Sequence, residues 1–238
     1  MSNKLKFFNS AALITAFATA TTFAEAATSN NSSERIKLLT ADFEPRQVVQ
    51  VEAGDFHFLP GQVAPIHTHS APAIGYVTKG TIIYQVEGEK PQILQEGDAF
   101  FEPVGPRILR FDNASATEEA IFVDFNLEQA GEPFIVFESS PTEAIDRRSL
   151  PTFDIKDQSI KRAEVFSTDI EKGGSLDLDT RQPTLGLVAH GIVEIQVNGV
   201  VTQRIAAGAS FALPADSSAT LVNASAEVSA KVITFLLR

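Results

Sequence analysis

Short runs in which apolar and polar side chains alternate recur along this chain, and they predict its secondary structure. The clearest runs are rich in Val, Ile, Phe and Tyr and cover residues 48–58, 74–78, 81–86 and 120–125. A period of two with β-branched and aromatic residues is typical of β-strands. Gly- and Pro-containing turn signals separate the runs at intervals of about ten residues. No stretch has the apolar period of a long helix, so the pattern predicts an all-β sandwich or barrel protein.

The same pattern occurs twice in the sequence. Residues 72–103 align with residues 183–214 at a shift of 111 positions, without a gap, and share 11 identities in 32 positions. A period of this length is the size of a whole domain and too long for a solenoid repeat. We therefore expect two copies of one domain, residues 35–128 and 162–238. Residues 129–161 would join them as a linker and packing arm.

The first 26 residues have the pattern of a cleaved secretory signal peptide. Two lysines precede an apolar stretch, and residues 24–26 read Ala-Glu-Ala, which matches a signal peptidase site. A membrane anchor is the alternative, but the apolar stretch is short and interrupted by Ser and Thr. The sequence predicts a protein that is exported to the periplasm or secreted, with no membrane attachment after cleavage. Residues 27–34 are polar and predict a flexible tail.

Composition narrows the range of functions. The chain has 19 Lys and Arg against 30 Asp and Glu, a formal net charge of −11, which argues against nucleic acid as a partner. It has no cysteine, which removes disulfides, thiol nucleophiles, iron–sulfur clusters and cysteine-ligated zinc. Hydrophobic residues make up 44% of the chain, enough for a buried core.

One motif in the first repeat points to a family. It consists of seven spaced residues, Gly61, His67, His69, Gly80, Gly97, Pro103 and Gly105, followed by Asn113. This resembles the cupin superfamily motifs, G-x5-H-x-H-x3–4-E-x6-G and G-x5-P-x-G-x2-H-x3-N. The resemblance covers most of residues 50–127 and extends more weakly to 163–238. It implies two tandem double-stranded β-helix (jelly-roll) barrels, the second of them degenerate.

The resemblance also implies a metal site. His67 and His69 project to the same side of a strand and would share one divalent metal. In metal-binding cupins a Glu from the first motif and a His from the second complete the site, but this chain has Ala73 and Ile108 at those positions. Two of the four expected ligands are therefore absent.

Glu102 is a candidate substitute ligand. It shares strand parity with Phe100 and is predicted to face the pocket, where it could also act as a general base. His67, His69 and Glu102 would form a two-His-one-carboxylate set, which suits iron and could suit manganese, zinc or nickel. The alternatives are that Glu102 is an exposed carboxylate at a strand end and that the histidines are a metal-free polar pair.

Four further residues carry side chains that are typical of functional sites. Tyr76 is a candidate catalytic residue, and Arg107 is a candidate substrate anchor that could bind a carboxylate. The alternative for Arg107 is an outer strand face on which it pairs with Asp or Glu. His57 lies between two phenylalanines that are predicted to face the core, so it is expected to face out, and His190 is predicted at a surface turn.

Three functions are consistent with these residues. The first is a divalent-metal enzyme, dioxygenase-like or isomerase/lyase-like, that acts on a small organic molecule in the first barrel. The second is a metal-free small-molecule-binding protein, and the third is a scaffold whose faces bind protein partners or form a homodimer. The second repeat has Leu178, Thr180 and Leu213 where the first has His67, His69 and Glu102. It is therefore predicted to be a structural or interaction half.

Overall fold

The structure is a computed structural model that describes residues 34–197 and 199–238. The predicted signal peptide and nearly all of the predicted tail lie outside the described residues. All regular elements of the described part are β-strands, as predicted. Within that part there is no helix with the length and apolar composition needed to cross a bilayer. The strands are β1 (Arg35–Phe58), β2 (His67–Thr68), β3 (Ala73–Lys79), β4 (Thr81–Val86), β5 (Gln92–Gln95), β6 (Ala99–Glu102), β7 (Ile108–Asn113), β8 (Ala120–Glu128), β9 (Val136–Phe137), β10 (Asp146–Ser149), β11 (Phe153–Ile170), β12 (Ser175–Thr180), β13 (Thr184–His190), β14 (Ile192–Val197), β15 (Val200–Ala206), β16 (Ser210–Leu213), β17 (Ser217–Asn223) and β18 (Ala230–Leu237).

The strands form three sheets that make two barrels. A nine-stranded sheet has the order β16-β13-β18-β11-β1-β8-β3-β6, with β10 paired to β1. A five-stranded sheet, β5-β4-β7-β2-β9, packs on the β1-β8-β3-β6 half around an aromatic core that includes Phe100, Phe111 and Phe122. A four-stranded sheet, β12-β17-β14-β15, closes the second half in the same way. The expected pair of jelly-roll barrels is confirmed.

A third core lies on the other face of the large sheet. Side chains of both halves meet there, and the rings of Phe125 and Phe235 are 4.7 Å apart between centroids. Successive side chains of a strand point to opposite faces. Each central strand therefore contributes one set of side chains to its own barrel and the other set to this shared core.

The longest strand, β1, belongs to both halves. Its first part pairs antiparallel with β11, from Arg35 opposite Thr168 onwards, and its last part pairs with β8 as far as Phe58 opposite Ala120. The segment 129–161 contains β9, β10 and the beginning of β11. Part of the segment predicted as a linker is therefore built into the sheets.

Gly–Phe pairs explain two of the identities between the repeats. A Cβ atom on Gly75 would lie 2.0 Å from the ring Cζ of Phe100, and one on Gly186 would lie 2.0 Å from that of Phe211. No side chain can occupy such a position. Each barrel therefore keeps a glycine on one strand so that a phenylalanine on the next can fill the interior.

An asparagine closes the same loop in both halves. The Asn113 side-chain amide lies 2.7–3.1 Å from three backbone carbonyls, and its Oδ1 accepts a hydrogen bond from the Ser115 amide at 2.9 Å. Asn223 makes the equivalent bonds, with Ser225 as its amide partner. Both side chains are buried. The asparagine therefore replaces missing backbone partners at the base of each barrel.

We expect Asn223→Ala to lower the free energy of unfolding by roughly 2–4 kcal/mol, since it leaves several buried backbone groups without partners. Urea denaturation followed by circular dichroism measures the change. Gln203→Ala, at an exposed position of β15 in the same barrel, is the matched control and should change stability by less than about 0.5 kcal/mol. Equal stability of the two variants would show that the asparagine does not hold the loop.

Candidate metal centre

A short strand places His67 and His69 inside the first barrel. His67 lies opposite Ile108 on one side and Phe137 on the other, and His69 forms an isolated bridge with Val104. Both histidines are 3% exposed. Thr68 between them is only partly buried, as expected where neighbouring side chains alternate. The two imidazoles therefore point into the same interior space.

Glu102 reaches that space from the neighbouring strand. It is 3% exposed and lies directly opposite Ala73 in the antiparallel pair of β3 and β6. Residues that face each other in this way project to the same side, with Cβ atoms about 4.5–5.5 Å apart. The carboxylate that the cupin motif places on β3 is thus supplied across the strand pair by β6. The inward orientation expected for Glu102 is what the structure shows.

The three side chains form one compact group. Their ligand atoms all lie within 4.8 Å of one another. His67 Nε2 is 3.5 Å from Glu102 Oε1, and His69 Nε2 is 3.2 Å from Oε2. His67 Nδ1 is 2.8 Å from the Pro65 carbonyl oxygen, to which it donates its proton. This bond fixes the tautomer of His67 and leaves the lone pair of Nε2 directed at the group.

Unsatisfied polar atoms are concentrated in this group. Both ring nitrogens of His69 and Oε1 of Glu102 are buried and have no hydrogen-bond partner among the described residues. The 3.2 Å approach of His69 to Glu102 is the distance of an ion pair without the alignment of a hydrogen bond. Buried polar atoms without partners are costly, and a divalent cation would satisfy them. Two imidazole nitrogens and a carboxylate suit Fe, Mn, Zn or Ni, so the residues fit a metal.

Even without a metal, the pKa values of Glu102 and His69 are shifted in opposite directions. Burial raises the pKa of Glu102, but His69 and His67 outweigh burial and lower it to about 2. Burial lowers the pKa of His69, whereas Glu102, Asp124 and Asn126 raise it to about 9. In the absence of metal, His69 and Glu102 are therefore a buried cation–anion pair at neutral pH.

The group borders a small and mainly apolar cavity. The cavity has a volume of about 20 Å³, room for one or two water molecules. Four of its thirteen lining residues are polar, namely His67, His69, Glu102 and Asp124. The others are Phe56, Phe58, Ala64, Phe111, Phe122, Phe134, Ile135, Phe137 and Ile145. Four of these, from Phe134 onwards, belong to the segment 129–161, so the predicted packing arm forms one wall of the cavity.

Asp124 is a cavity residue that the sequence analysis missed. It lies on β8 between Gly54 and Gly75 of the adjacent strands, and it is 2% exposed. Its Oδ1 has no partner within the described part of the chain. Burial and then the charge of Glu102 raise its pKa to about 7. The available signal was the row of Asp124, Asn126 and Glu128 on the inward face of an otherwise apolar strand.

The structure corrects two of the candidate assignments. Tyr76 is buried on the opposite face of β3, in the core shared by the two halves, where burial raises its pKa to about 12. It points away from the histidines because it alternates with Gly75. Arg107 is at the surface, where it donates to both carboxylate oxygens of Glu138 at 2.6 and 2.9 Å. Neither residue lines the cavity.

The remaining histidines lie away from the cavity, as expected. His57 is held between Asp55 and Glu119 at 3.2 and 3.1 Å. His190 is exposed at the end of β13. Neither therefore adds a ligand to the group.

The second barrel has no equivalent group among its described side chains. Leu178 and Leu213, which correspond to His67 and Glu102, are both buried in an apolar core. Thr234 occupies the place on β18 that Asp124 has on β8. The candidate metal centre therefore belongs to the first half alone.

The fold and the site together define a two-barrel β protein with one polar group inside its first barrel. Residues 54–126 match the family model described as "Cupin domain". No curated protein sequence matches the chain.

Solved structures show the same fold over most of the chain. AerE from Microcystis aeruginosa is 16% identical, with 85% of this chain and 99% of that chain covered and a TM-score of 0.57. The salicylate 1,2-dioxygenase from Pseudaminobacter salicylatoxidans is 15% identical, with coverages of 79% and 71% and a TM-score of 0.54. Vicilin from hazelnut (Corylus avellana) is 14% identical, with coverages of 83% and 85% and a TM-score of 0.55. At such identities the likeness establishes the fold and leaves the chemistry to the site.

Proposed function

We propose that the first barrel is a divalent-metal centre that catalyses a reaction of a small organic molecule, with an iron-dependent, dioxygenase-like oxidation as the leading candidate. One observation carries the proposal. Two imidazoles and a carboxylate, all buried and partly unsatisfied, place their ligand atoms within 4.8 Å of one another. A purely structural barrel has no need of such a group, as the apolar interior of the second barrel illustrates.

The donor set favours oxygen chemistry. His67, His69 and Glu102 would hold the metal, and two histidines with one carboxylate are the donor set of non-haem iron oxygenases. A metal held in this way supplies Lewis acidity and redox capacity. One solved structure with the same fold is named as a dioxygenase. Isomerase- or lyase-like chemistry with zinc, nickel or manganese uses the same three ligands and is the second possibility within this class.

The protein's own residues supply the remaining functions. The Pro65 carbonyl holds the His67 ring in one tautomer. The phenylalanines of the barrel and of the packing arm keep water away from the group. Asp124 is placed to hold or release a proton beside the substrate. The cavity is too small for an organic molecule when the arm is closed, so we propose that substrate enters when Phe134 and Phe137 move outward.

A metal-free binding protein is the alternative function. It is favoured by the His69–Glu102 ion pair, which balances the charges of the group without a metal, and by Ala73 and Ile108 at two positions where the cupin motif has ligands. In that case the interior would hold a small molecule without turnover.

Elemental analysis of the full chain, purified without a histidine tag or chelator, tests this proposal. We expect close to one equivalent of a transition metal, or its uptake on anaerobic reconstitution with Fe(II). The double variant His67→Ala/His69→Ala should lose it. The matched control His57→Ala/His190→Ala removes two histidines outside the site and should keep it. A metal-free wild-type protein after reconstitution would favour the binding protein.

We also propose that the protein acts outside the cytoplasm, on the strength of the signal pattern in residues 1–26. Mass spectrometry of the protein isolated from its source would show a chain that begins at residue 27. A mature chain that retains residues 1–26 would contradict export by this route.

A further inference from the structure

A cavity in the second half is lined by three arginines. It has a volume of about 350 Å³, within the range of small-molecule sites, and its lining residues are Arg35, Arg181, Gln182, Leu236 and Arg238. Arg35 begins β1, Arg181 and Gln182 join β12 to β13, and Arg238 follows β18. Three separate parts of an acidic chain thus bring guanidinium groups to one place. We call it the arginine cavity.

The carboxylate beside this cavity is already shared. Glu164 Oε1 lies 2.5 Å from Lys37 Nζ, and its Oε2 lies 2.7 Å from Arg238 Nε. Arg35 instead stacks on the ring of Phe166 at 3.8 Å and donates to the Thr234 hydroxyl at 3.4 Å. One carboxylate therefore serves two cations, while Arg35 contacts an aromatic ring and a hydroxyl group.

The first half contains an equivalent arginine that stacks on an aromatic ring and is also paired with a carboxylate. There Arg147, on the strand next to β1, also stacks on an aromatic ring, that of Phe134 at 3.8 Å. Its guanidinium is paired with Glu52. Arg35 has the equivalent place beside β11, but Glu164, the equivalent carboxylate, carries Lys37 and Arg238. Glu164 is thus shared by two cations, whereas Glu52 pairs with the equivalent arginine of the first half.

Arg35 lies close enough to Glu164 and Arg238 to feel the charge of both. Burial lowers its pKa, the charge of Glu164 raises it, and the charge of Arg238 lowers it again, with a net lowering. A guanidinium beside another one is stabilised by an added anion.

We propose that the arginine cavity binds a small anion that carries a carboxylate or phosphate group. Guanidinium groups bind both in a bidentate manner, because the fork of N–H donors matches the spacing of the oxygens. The Gln182 side chain can add a neutral hydrogen bond, and Leu236 offers an apolar surface to the body of the ligand. This site lies in the half without metal-binding residues and is independent of the function proposed for the first barrel.

Isothermal titration of the full chain at constant ionic strength tests the proposal, with pyrophosphate and citrate as probes. We expect saturable binding to one site, weakened about tenfold or more by Arg35→Gln and by Arg181→Gln. Arg204→Gln is the matched control, because Arg204 is an exposed arginine of the same barrel, paired with Glu194, that does not line the cavity. It should leave the affinity unchanged.

The two probes separate the two sources of the anion. Tighter binding of pyrophosphate assigns a phosphate ligand, and tighter binding of citrate assigns a carboxylate ligand. The absence of saturable binding, or equal weakening by Arg204→Gln, would overturn the proposal. Melting temperatures establish that each variant is folded. If Arg35→Gln does not fold, Arg181→Gln, on a loop, decides the outcome.

Discussion

Replacing Glu102 with leucine is expected to abolish tight binding of a divalent metal while the first barrel stays folded. The substitution removes one of three ligands, and loss of an outer partner of a ligand alone costs about 10–100-fold in affinity. We therefore expect a loss of more than about 100-fold. The second barrel has Leu213 at the corresponding position, buried in its core, so the architecture accommodates leucine there.

Competition with a chromogenic chelator measures this affinity. Glu138→Leu is the control, because it removes a carboxylate that is exposed and paired with Arg107, and it should not alter metal binding. Circular dichroism and the melting temperature of the metal-free protein show whether the variant is folded. A folded Glu102→Leu protein that binds metal as the wild type does would remove Glu102 from the ligand set.

Asp124→Asn is expected to stabilise the metal-free protein above pH 7 and to change its stability little below pH 4. The folded state raises the pKa of Asp124 from 3.8 to about 7, mainly through burial and then through the charge of Glu102. Between these two values the unfolded chain releases a proton that the folded protein keeps, so stability falls as the pH rises. The cost above pH 7 is on the order of 4 kcal/mol. Asparagine cannot ionise and avoids this cost.

Urea denaturation from pH 4 to pH 9, with a chelator present, measures this dependence. The pKa of His69 is also raised, to about 9, so its contribution is present in full below about pH 6.5 and is lost as the pH rises towards 9. That second loss should remain in Asp124→Asn. Asp146→Asn, at an exposed ion pair with Arg148, is the control and should follow the wild type. Parallel curves for Asp124→Asn and the wild type would contradict the assignment.

Much of the fold follows from local sequence rules. The alternation of apolar residues predicts strands such as β3, β4 and β8, and the repeat at a shift of 111 positions predicts two equivalent barrels. Contacts that recur in both halves account for identities between the repeats, including the pairs of Gly75 with Phe100 and Gly186 with Phe211. Strand parity also places His67, His69 and Glu102 in one interior.

The rest of the site depends on tertiary arrangement. Strand parity divides side chains between two faces, but in the central sheet both faces are buried. Tyr76 therefore looks like an interior residue although it serves the shared core, and the polar row on β8 does not by itself show which of the two buried faces carries Asp124. The role of the packing arm cannot be predicted from the repeat either. Phe134 and Phe137 reach the cavity from the segment 129–161, and the repeat does not define the path of that segment.

The continuous strand β1 makes each half depend on the other for strand pairing. Each half contributes a long strand whose first part lies alongside the long strand of the other, Arg35 opposite Thr168 at one end and Val51 opposite Phe153 at the other. The two halves thus exchange strands within one polypeptide, as the subunits of a domain-swapped dimer exchange elements. Deleting one copy would leave the other with an unpaired, aggregation-prone edge. The second barrel therefore protects the edge of the first, although its described interior holds no candidate metal ligands.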